Sequence, residues 1–188
     1  MNISIQTNFP DVKRALDGLS ADVGNKAMAS ALNKTVAQAK TAMSREIRAE
    51  FNMSAGKVGE ALRITRAVSS GGRFSLSARL EATSKRGRSL NIAAFSARQT
   101  AKGVSFKIKK SGPRKLIPGS FLINGGKTVM IRVGKARLPI KALQTIDVPS
   151  MFNTKRINAK VLRFINDKFP ELFKNEAKFF TDRFKAGK

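Results

Sequence analysis

The 188-residue sequence contains no cysteine, histidine, tryptophan or tyrosine. These absences exclude a catalytic cysteine or histidine, a Ser-His-Asp triad, a zinc site built from histidine or cysteine, and any disulfide scaffold. Acidic residues are also scarce, since 12 Asp and Glu stand against 37 Lys and Arg, and the formal charge is +25. What remains is a basic protein with a modest chemical repertoire.

Long apolar runs are missing as well. No stretch approaches the ~20 residues that a membrane-spanning helix needs, and residues 1–7 lack the basic and apolar regions of a signal peptide. A disordered basic tail is excluded because 41% of the residues are hydrophobic. We therefore expect a folded, soluble protein that is made in a cytoplasm and contacts no membrane.

The positive charge is concentrated in the middle of the chain. Residues 1–62 hold 8 basic and 6 acidic side chains, and residues 143–188 hold 10 and 5. Residues 63–142 hold 19 basic side chains and a single carboxylate, Glu81. The ends have the mixed charge of ordinary solvent-facing helices, so the middle region is the candidate contact surface.

Both ends of the chain predict helices. After Ser20, a plausible N-cap, residues 21–51 place apolar side chains at steps of three or four, with an alanine-rich stripe that permits close packing. Ser54 caps a short second helix that runs to about Ile64, with Met53 and Val58 placed to form a hydrophobic staple.

The C-terminal segment, from residue 153 or 154, predicts two helical pieces with a kink or break at Pro170. Five of the thirteen phenylalanines lie between residues 169 and 184. This apolar surface is too large for a helix that stands alone in water, so we expect the segment to dock on its own sheet or on another subunit.

The middle region predicts strands. Apolar and polar residues alternate over 74–80 and 104–108, and residues 90–95 are interpreted as a further strand. Residues 121–123 and 128–133 predict a hairpin, because Asn124-Gly125-Gly126 supplies the positive φ angles of a tight turn.

The predicted class is α+β, with a long N-terminal helix and C-terminal helices flanking a small antiparallel sheet of about four strands. We expect one domain, 1–188, with an N-terminal helical part (1–64), a basic β-rich part (65–142) and a C-terminal helical part (143–188).

Catalytic patterns are not found. Gly125-Gly126-Lys127-Thr128 ends like a phosphate-binding P-loop, but Phe121 stands where the pattern requires glycine and a strand follows in place of a helix. Glu46 and Glu50 share a helix face as ordinary surface charges, and Glu81 alone cannot form the paired acids that hold Mg²⁺. We therefore predict a protein that is not an enzyme and needs no cofactor or metal.

Two basic loops, 84–89 and 109–115, predict contact with a polyanion or an acidic surface, because like charges at this density oppose folding unless a counter-charge is near. The alternative is that they are solvated loops that serve solubility. Since there is no Tyr or Trp for base stacking, any DNA contact would use backbone charge without sequence preference. The candidate contact residues are Lys85, Arg86, Arg88, Arg98, Lys102, Lys107, Lys109, Lys110, Arg114 and Lys115.

Several blocks of the chain together resemble the minor tail protein Z family of lambda-like tailed phages and prophages. The resemblance covers roughly residues 25 to 180 and has no catalytic signature. The blocks, in the order of the family, are Glu46-Ile-Arg-Ala-Glu-Phe-Asn-Met53, Ala61-Leu-Arg-Ile-Thr-Arg66, Ala94-Phe-Ser-Ala-Arg-Gln-Thr-Ala-Lys-Gly-Val104, Arg114-Lys-Leu-Ile-Pro-Gly-Ser-Phe121, Gly134-Lys-Ala-Arg-Leu-Pro-Ile140, Val148-Pro-Ser-Met151 and Phe169-Pro170.

The resemblance implies a virion component that completes the head-proximal end of the tail, so that tail and filled head join. Proteins of the neck and upper tail work as rings or symmetric sets around the DNA channel, which implies a homo-oligomer. The basic loops would then face double-stranded genomic DNA or the acidic faces of neighbouring tail terminator, tail tube or tape-measure subunits. The alternative function is that of a non-specific DNA-binding architectural protein.

Overall fold

The structure is a computed structural model that describes residues 2–4, 12, 19–70, 73–84 and 89–186. The helices are α1 (Ala21–Glu50), α2 (Ala55–Ala61), α3 (Val148–Phe152) and α4 (Lys155–Ala186). The strands are β1 (Asn2–Ser4), β2 (Leu62–Thr65), β3 (Val68–Ser70), β4 (Arg73–Ser75), β5 (Arg79–Ala82), β6 (Arg98–Thr100), β7 (Gly103–Phe106), β8 (Lys115–Pro118), β9 (Ser120–Ile123), β10 (Thr128–Arg132) and β11 (Ile140–Ala142).

The predicted α+β class, with a long N-terminal helix, a C-terminal helix and small antiparallel pairings, is confirmed. Within the described ranges the strands are distributed over four small sheets, ordered β1-β5-β2, β3-β4, β6-β7-β8 and β11-β10-β9. The residues cluster into two compact units. Unit 1 contains Met1–Met43, Leu62–Ala82 and Lys155–Lys188, and unit 2 contains Ser44–Ala61 and Thr83–Thr154. The prediction of a single domain stays a prediction.

In unit 1, α1 and α4 both bury small and apolar side chains. Ala27, Ala31 and Ala39 of α1 are completely buried, as the alanine-rich stripe predicted. Phe169 and Phe173 of α4 are buried too, and this part of the apolar surface of the helix is covered inside the chain. The side chain of Glu176 in α4 accepts hydrogen bonds from Ser30 and Lys34 of α1, so the two helices share a buried polar contact.

In unit 2, a small core lies between the two three-stranded sheets and the turn that precedes them. Its buried members are Ile92, Val104, Phe106 and Val129. Val129 is fixed by the side chain of Asn91, which accepts a hydrogen bond from its amide at 2.8 Å and donates one to its carbonyl at 3.1 Å. The carbonyl oxygen of Val129 also accepts from the amide of Leu143 at 3.0 Å, so the Asn91 side chain adds to the backbone pairing of this residue of β10.

The hairpin predicted at Asn124-Gly125-Gly126 is confirmed. It joins β9 and β10, and these three residues have φ angles of +54°, +62° and +82°. The same residues are therefore a turn and not a P-loop, as the sequence analysis concluded.

Several predicted elements were wrong. Residues 90–95 are not a strand but contain the 3₁₀ turn Ile92–Ala94, because the Asn91 side chain caps it by accepting from the amide of Ala93 at 3.0 Å. Strand β7 ends at Phe106, before Ile108, whose carbonyl accepts instead from the amide of Asn52 at 2.7 Å.

Three further boundaries differ. The helix predicted to reach Ile64 ends at Ala61, since Leu62 begins β2 and pairs with Ala82 of β5. The strand predicted at 74–80 is divided between β4 and β5, which pair with different partners. Helix α4 is not broken at Pro170, since buried side chains on both sides of the proline hold the helix in its packing and outweigh the lost hydrogen bond.

Candidate functional site

The sheet β6-β7-β8 brings several of the predicted cations to one face. Arg98 of β6 pairs with Ser105 of β7, which pairs with Leu116 of β8, so these three side chains lie in one row on the same face. Alternate residues of β7, Val104 and Phe106, point to the buried core. The row therefore belongs to the outward face of the sheet.

A shallow depression of about 420 Å³ lies on this outward face. Lys102, from the turn between β6 and β7, and Arg114 and Lys115, at the start of β8, line it from two directions. The hydroxyl-bearing side chains Thr100 and Ser105 line it as well. Three cations with adjacent hydroxyl groups provide the donors that a phosphate or a carboxylate accepts from.

Arg114 is also a structural residue of this face. Its Nη2 donates to the carbonyl oxygen of Ser96 at 2.6 Å and to that of Ser105 at 3.3 Å. Ser96 has a φ angle of +48°, a conformation that costs free energy for a residue with a side chain. The guanidinium thus ties a strained turn to β7, while Lys102 and Lys115 have no such bond among the described residues.

The sheet is held together by a close approach and a buried hydroxyl. Gly103 has a φ angle of +148°, and a Cβ atom at this position would lie 2.1 Å from the carbonyl oxygen of Ile117. Ser120, which is 3% exposed, accepts from the amide of Val104 at 3.0 Å and donates to Ile117 at 2.6 Å. These contacts fix the register of β7 with β8, in which Phe106 lies opposite Lys115 and the amide of Gly119 donates to the carbonyl oxygen of Lys102 at 3.0 Å.

The second predicted loop, 109–115, is attached to the C-terminal end of α1. The amide of Lys110 donates to the carbonyl oxygen of Glu50 at 2.9 Å, and Lys109 forms a β-bridge with Phe51. The side chains of Lys109 and Lys110 are exposed. Cations are favoured near the C-terminal end of a helix because its last carbonyl groups carry partial negative charge, so part of this charge has a structural explanation.

The structure therefore divides the ten predicted residues. Lys102, Arg114 and Lys115 line one depression on the sheet β6-β7-β8. Arg98 lies on the outward face of the same sheet, in the row of Ser105 and Leu116. Lys109 and Lys110 lie at the end of α1, and Lys107 is half-buried. Lys85, Arg86 and Arg88 lie outside the described residues.

Sequence reasoning missed further cations on the sheet β11-β10-β9. Residues 82–146 contain no Asp or Glu, and this run without carboxylates was the signal that could have identified them. The guanidinium of Arg132 lies 4.9 Å from the centre of the Phe121 ring, so that ring is covered by a cation and not free to stack on a base. The missed exposed cations are Lys127, Arg132, Lys135, Arg137 and Lys141.

The described residues contain no group of three or more His, Cys, Asp or Glu that could hold a metal ion. None of the described helices is long and apolar enough to cross a lipid bilayer.

The comparison with protein families gives one match that spans most of the chain. The family model of prophage minor tail protein Z matches residues 11–181. The chain belongs to this family. The resemblance that the sequence blocks carried is confirmed, and the chain has a structural role as a minor component of a phage tail. Searches of the curated proteins and of the solved structures give no significant match.

Because the chain belongs to the minor tail protein Z family, its basic surface is part of a phage tail. A structural tail component interacts with other components of the tail and is located in the tail of the virion. Neither the family match nor the geometry assigns a catalytic residue to this chain.

Proposed function

We propose that this minor tail protein is a tail-completion subunit that acts at the head-proximal end of the tail, is needed for head-tail joining, and uses the outward face of the sheet β6-β7-β8 to contact an anionic partner. The observation that carries the proposal is the convergence of Lys102, Arg114 and Lys115 on one depression in a region without carboxylates between residues 82 and 146. In this proposal the protein is not an enzyme, and several copies of it surround the DNA channel.

Two partners fit this surface. The first is double-stranded DNA in the channel. Its evenly spaced phosphates can bind several lysine and arginine side chains, and such contacts do not depend on the base sequence. The second is an acidic face of a neighbouring tail terminator, tube or tape-measure subunit, because charge complementarity sets register between protein rings without slowing DNA passage.

One variant tests contact with either partner. The substitutions Arg98→Gln, Lys102→Gln and Lys115→Gln remove three charges from the face and leave Arg114, which ties the Ser96 turn, in place. A matched control removes three exposed charges from α4 of unit 1 through Arg163→Gln, Lys174→Gln and Lys178→Gln. Both variants have the same net charge, so an effect of overall charge alone appears in both.

The first measurement is the assembly of infectious particles. We expect the face variant to give tails that are intact by electron microscopy but fail to join heads or to infect, while the control variant assembles normally. Normal infectivity of the face variant would contradict the proposed contact and favour a role of these cations in solubility alone.

The second measurement separates DNA from protein as the partner. If DNA is contacted, the affinity of the wild type for duplex DNA falls steeply with salt, and the face variant shows a shallower salt dependence by about one unit per lost phosphate contact. DNA binding that is absent at ~100 mM salt, together with a joining defect, would identify an acidic protein as the partner.

A further inference from the structure

The segment between β10 and β11, residues 133–139, exposes two large apolar side chains. We call it the 133–139 loop. Val133 and Leu138 are 65% and 67% exposed, the two largest values among the large hydrophobic side chains in the described ranges. Hairpin loops are usually built from polar residues, glycine and proline, so two largely exposed aliphatic side chains in one short loop require an explanation.

The loop is anchored at its base. The amide of Val133 donates to the carbonyl oxygen of Pro139 at 3.0 Å, and Arg132 pairs with Ile140 where the two strands meet. The two ends of the loop, next to Val133 and Leu138, are therefore held together, and binding needs little ordering of the backbone.

Two exposed cations, Lys135 and Arg137, lie between the apolar side chains. An apolar pair with cations beside it is complementary to an apolar pocket with carboxylates at its rim. A phosphate backbone would satisfy the cations but leave Val133 and Leu138 in water, so this chemistry favours a protein over a nucleic acid.

A second copy of this chain is a poor source of such a pocket. Each copy carries a net charge of +25, and several of its carboxylates are already engaged. Asp22 pairs with Lys26, Glu171 pairs with Lys168, and Glu176 is buried against Lys34. The partner is therefore a different protein with excess negative charge.

We infer that the 133–139 loop docks into an apolar pocket, rimmed by carboxylates, on a neighbouring protein of the tail. This inference rests on the proposed function, because it takes the tail as the source of the partner. It adds a second, partly apolar contact to the charged face of the sheet β6-β7-β8.

The test measures attachment of the purified protein to tails assembled in cells that lack its gene. Val133→Ser with Leu138→Ser removes the apolar pair, and attachment is expected to weaken about tenfold or more at every salt concentration, as for anchor residues of an interface. Lys135→Gln with Arg137→Gln removes the charges, and attachment should weaken several-fold at low salt and less at high salt.

The controls change the same residue types elsewhere. Val68→Ser with Leu162→Ser alters two exposed apolar side chains of unit 1, and Lys174→Gln with Lys178→Gln alters two exposed cations of α4. Both control variants should attach like the wild type. Circular dichroism and thermal melting of each variant verify that the fold is retained.

Attachment of the Val133→Ser, Leu138→Ser variant at wild-type strength would overturn the inference. So would unchanged attachment with a loss of duplex DNA binding, which would make the loop a DNA contact, or a loss of self-association in sedimentation, which would make a second copy the partner. A wild-type protein that does not attach to tails contradicts the proposed function itself and the inference with it. These outcomes separate failure of the loop from failure of the tail assignment.

Discussion

At the scale of single residues, Glu176 combines burial with charge. It is 7% exposed, and its Oε2 accepts from the hydroxyl of Ser30 at 2.6 Å while its Oε1 accepts from Nζ of Lys34. Burial raises the pKa of Glu176, but the hydrogen bonds from Lys34 and Ser30 and the charge of Lys34 lower it by more, so the pKa lies below its ordinary value.

The lowered pKa of Glu176 predicts a loss of stability in acid. Because the unfolded chain binds the proton more tightly, the contribution is complete at pH values above the pKa of the unfolded chain and is lost as the pH falls through the lowered pKa of the folded protein. Glu176→Gln should reduce the free energy of unfolding at pH 7 by about 1 to 3 kcal/mol and flatten its dependence on pH. Urea unfolding between pH 3 and 7 measures both effects.

Asp182→Asn is the control for Glu176, because it removes an exposed carboxylate from the same helix. It should leave stability at neutral pH within about 0.5 kcal/mol of the wild type. A Glu176→Gln variant as stable as the wild type at pH 7 would show that the buried contact contributes nothing.

The sheet that carries the basic face requires glycine at position 103. Its φ angle of +148° and the 2.1 Å approach to the carbonyl oxygen of Ile117 leave no room for a Cβ atom. Gly103→Ala should therefore destabilise the protein by about 2 kcal/mol or more, as measured by urea unfolding. Gly59→Ala is the matched change, since Gly59 lies in α2 with no atom within 4 Å of the added Cβ, and it should gain up to about 1 kcal/mol.

At the scale of elements, α4 continues through Pro170. Proline in a helix interior costs about 3 kcal/mol relative to alanine, so Pro170→Ala should raise the free energy of unfolding by about 1 to 3 kcal/mol. Pro149→Ala provides the comparison, because Pro149 lies in the first turn of α3, where the missing amide donor is not needed. A gain for Pro149→Ala equal to that for Pro170→Ala would contradict this explanation.

The elements that the sequence predicted correctly depend on neighbours along the chain. The hairpin at Asn124-Gly125-Gly126 and the alanine stripe of α1 follow from local turn chemistry and from a helical period. The 3₁₀ turn after Asn91 was not predicted, since the residue pattern at 90–95 does not show which amides the Asn91 side chain accepts from. They are the amide of Ala93, which this bond caps, and the amide of Val129, 38 residues away. Residues 74–80 were misassigned because alternation does not say with which strand each residue pairs.

The candidate site shows the same limit. The sequence indicated basic loops, and Lys102, Arg114 and Lys115 were among the predicted residues. It could not show that they meet at one depression, because that depends on the register of β7 with β8. Nor could it show that Arg114 donates hydrogen bonds to the carbonyl oxygens of Ser96 and Ser105.

At the scale of the whole molecule, a net charge of +25 predicts that salt stabilises the isolated protein. Added ions screen the repulsion among cations, which is unfavourable in the compact state. The melting temperature should rise by several degrees between about 20 and 300 mM NaCl. The Arg98→Gln, Lys102→Gln, Lys115→Gln variant should rise less, and a melting temperature that falls with salt would contradict the prediction.

Each of the two units is built from segments that are separated along the sequence, and this order affects how the chain folds during synthesis. Unit 2 is complete once residue 154 has been made, whereas unit 1 waits for Lys155–Lys188. Until α4 emerges from the ribosome, Ser30 and Lys34 of α1 lack their partner Glu176, although α1 is among the first elements translated. The N-terminal helix is therefore expected to depend on chaperones, or on the ribosome surface, for most of the time that the chain is being translated.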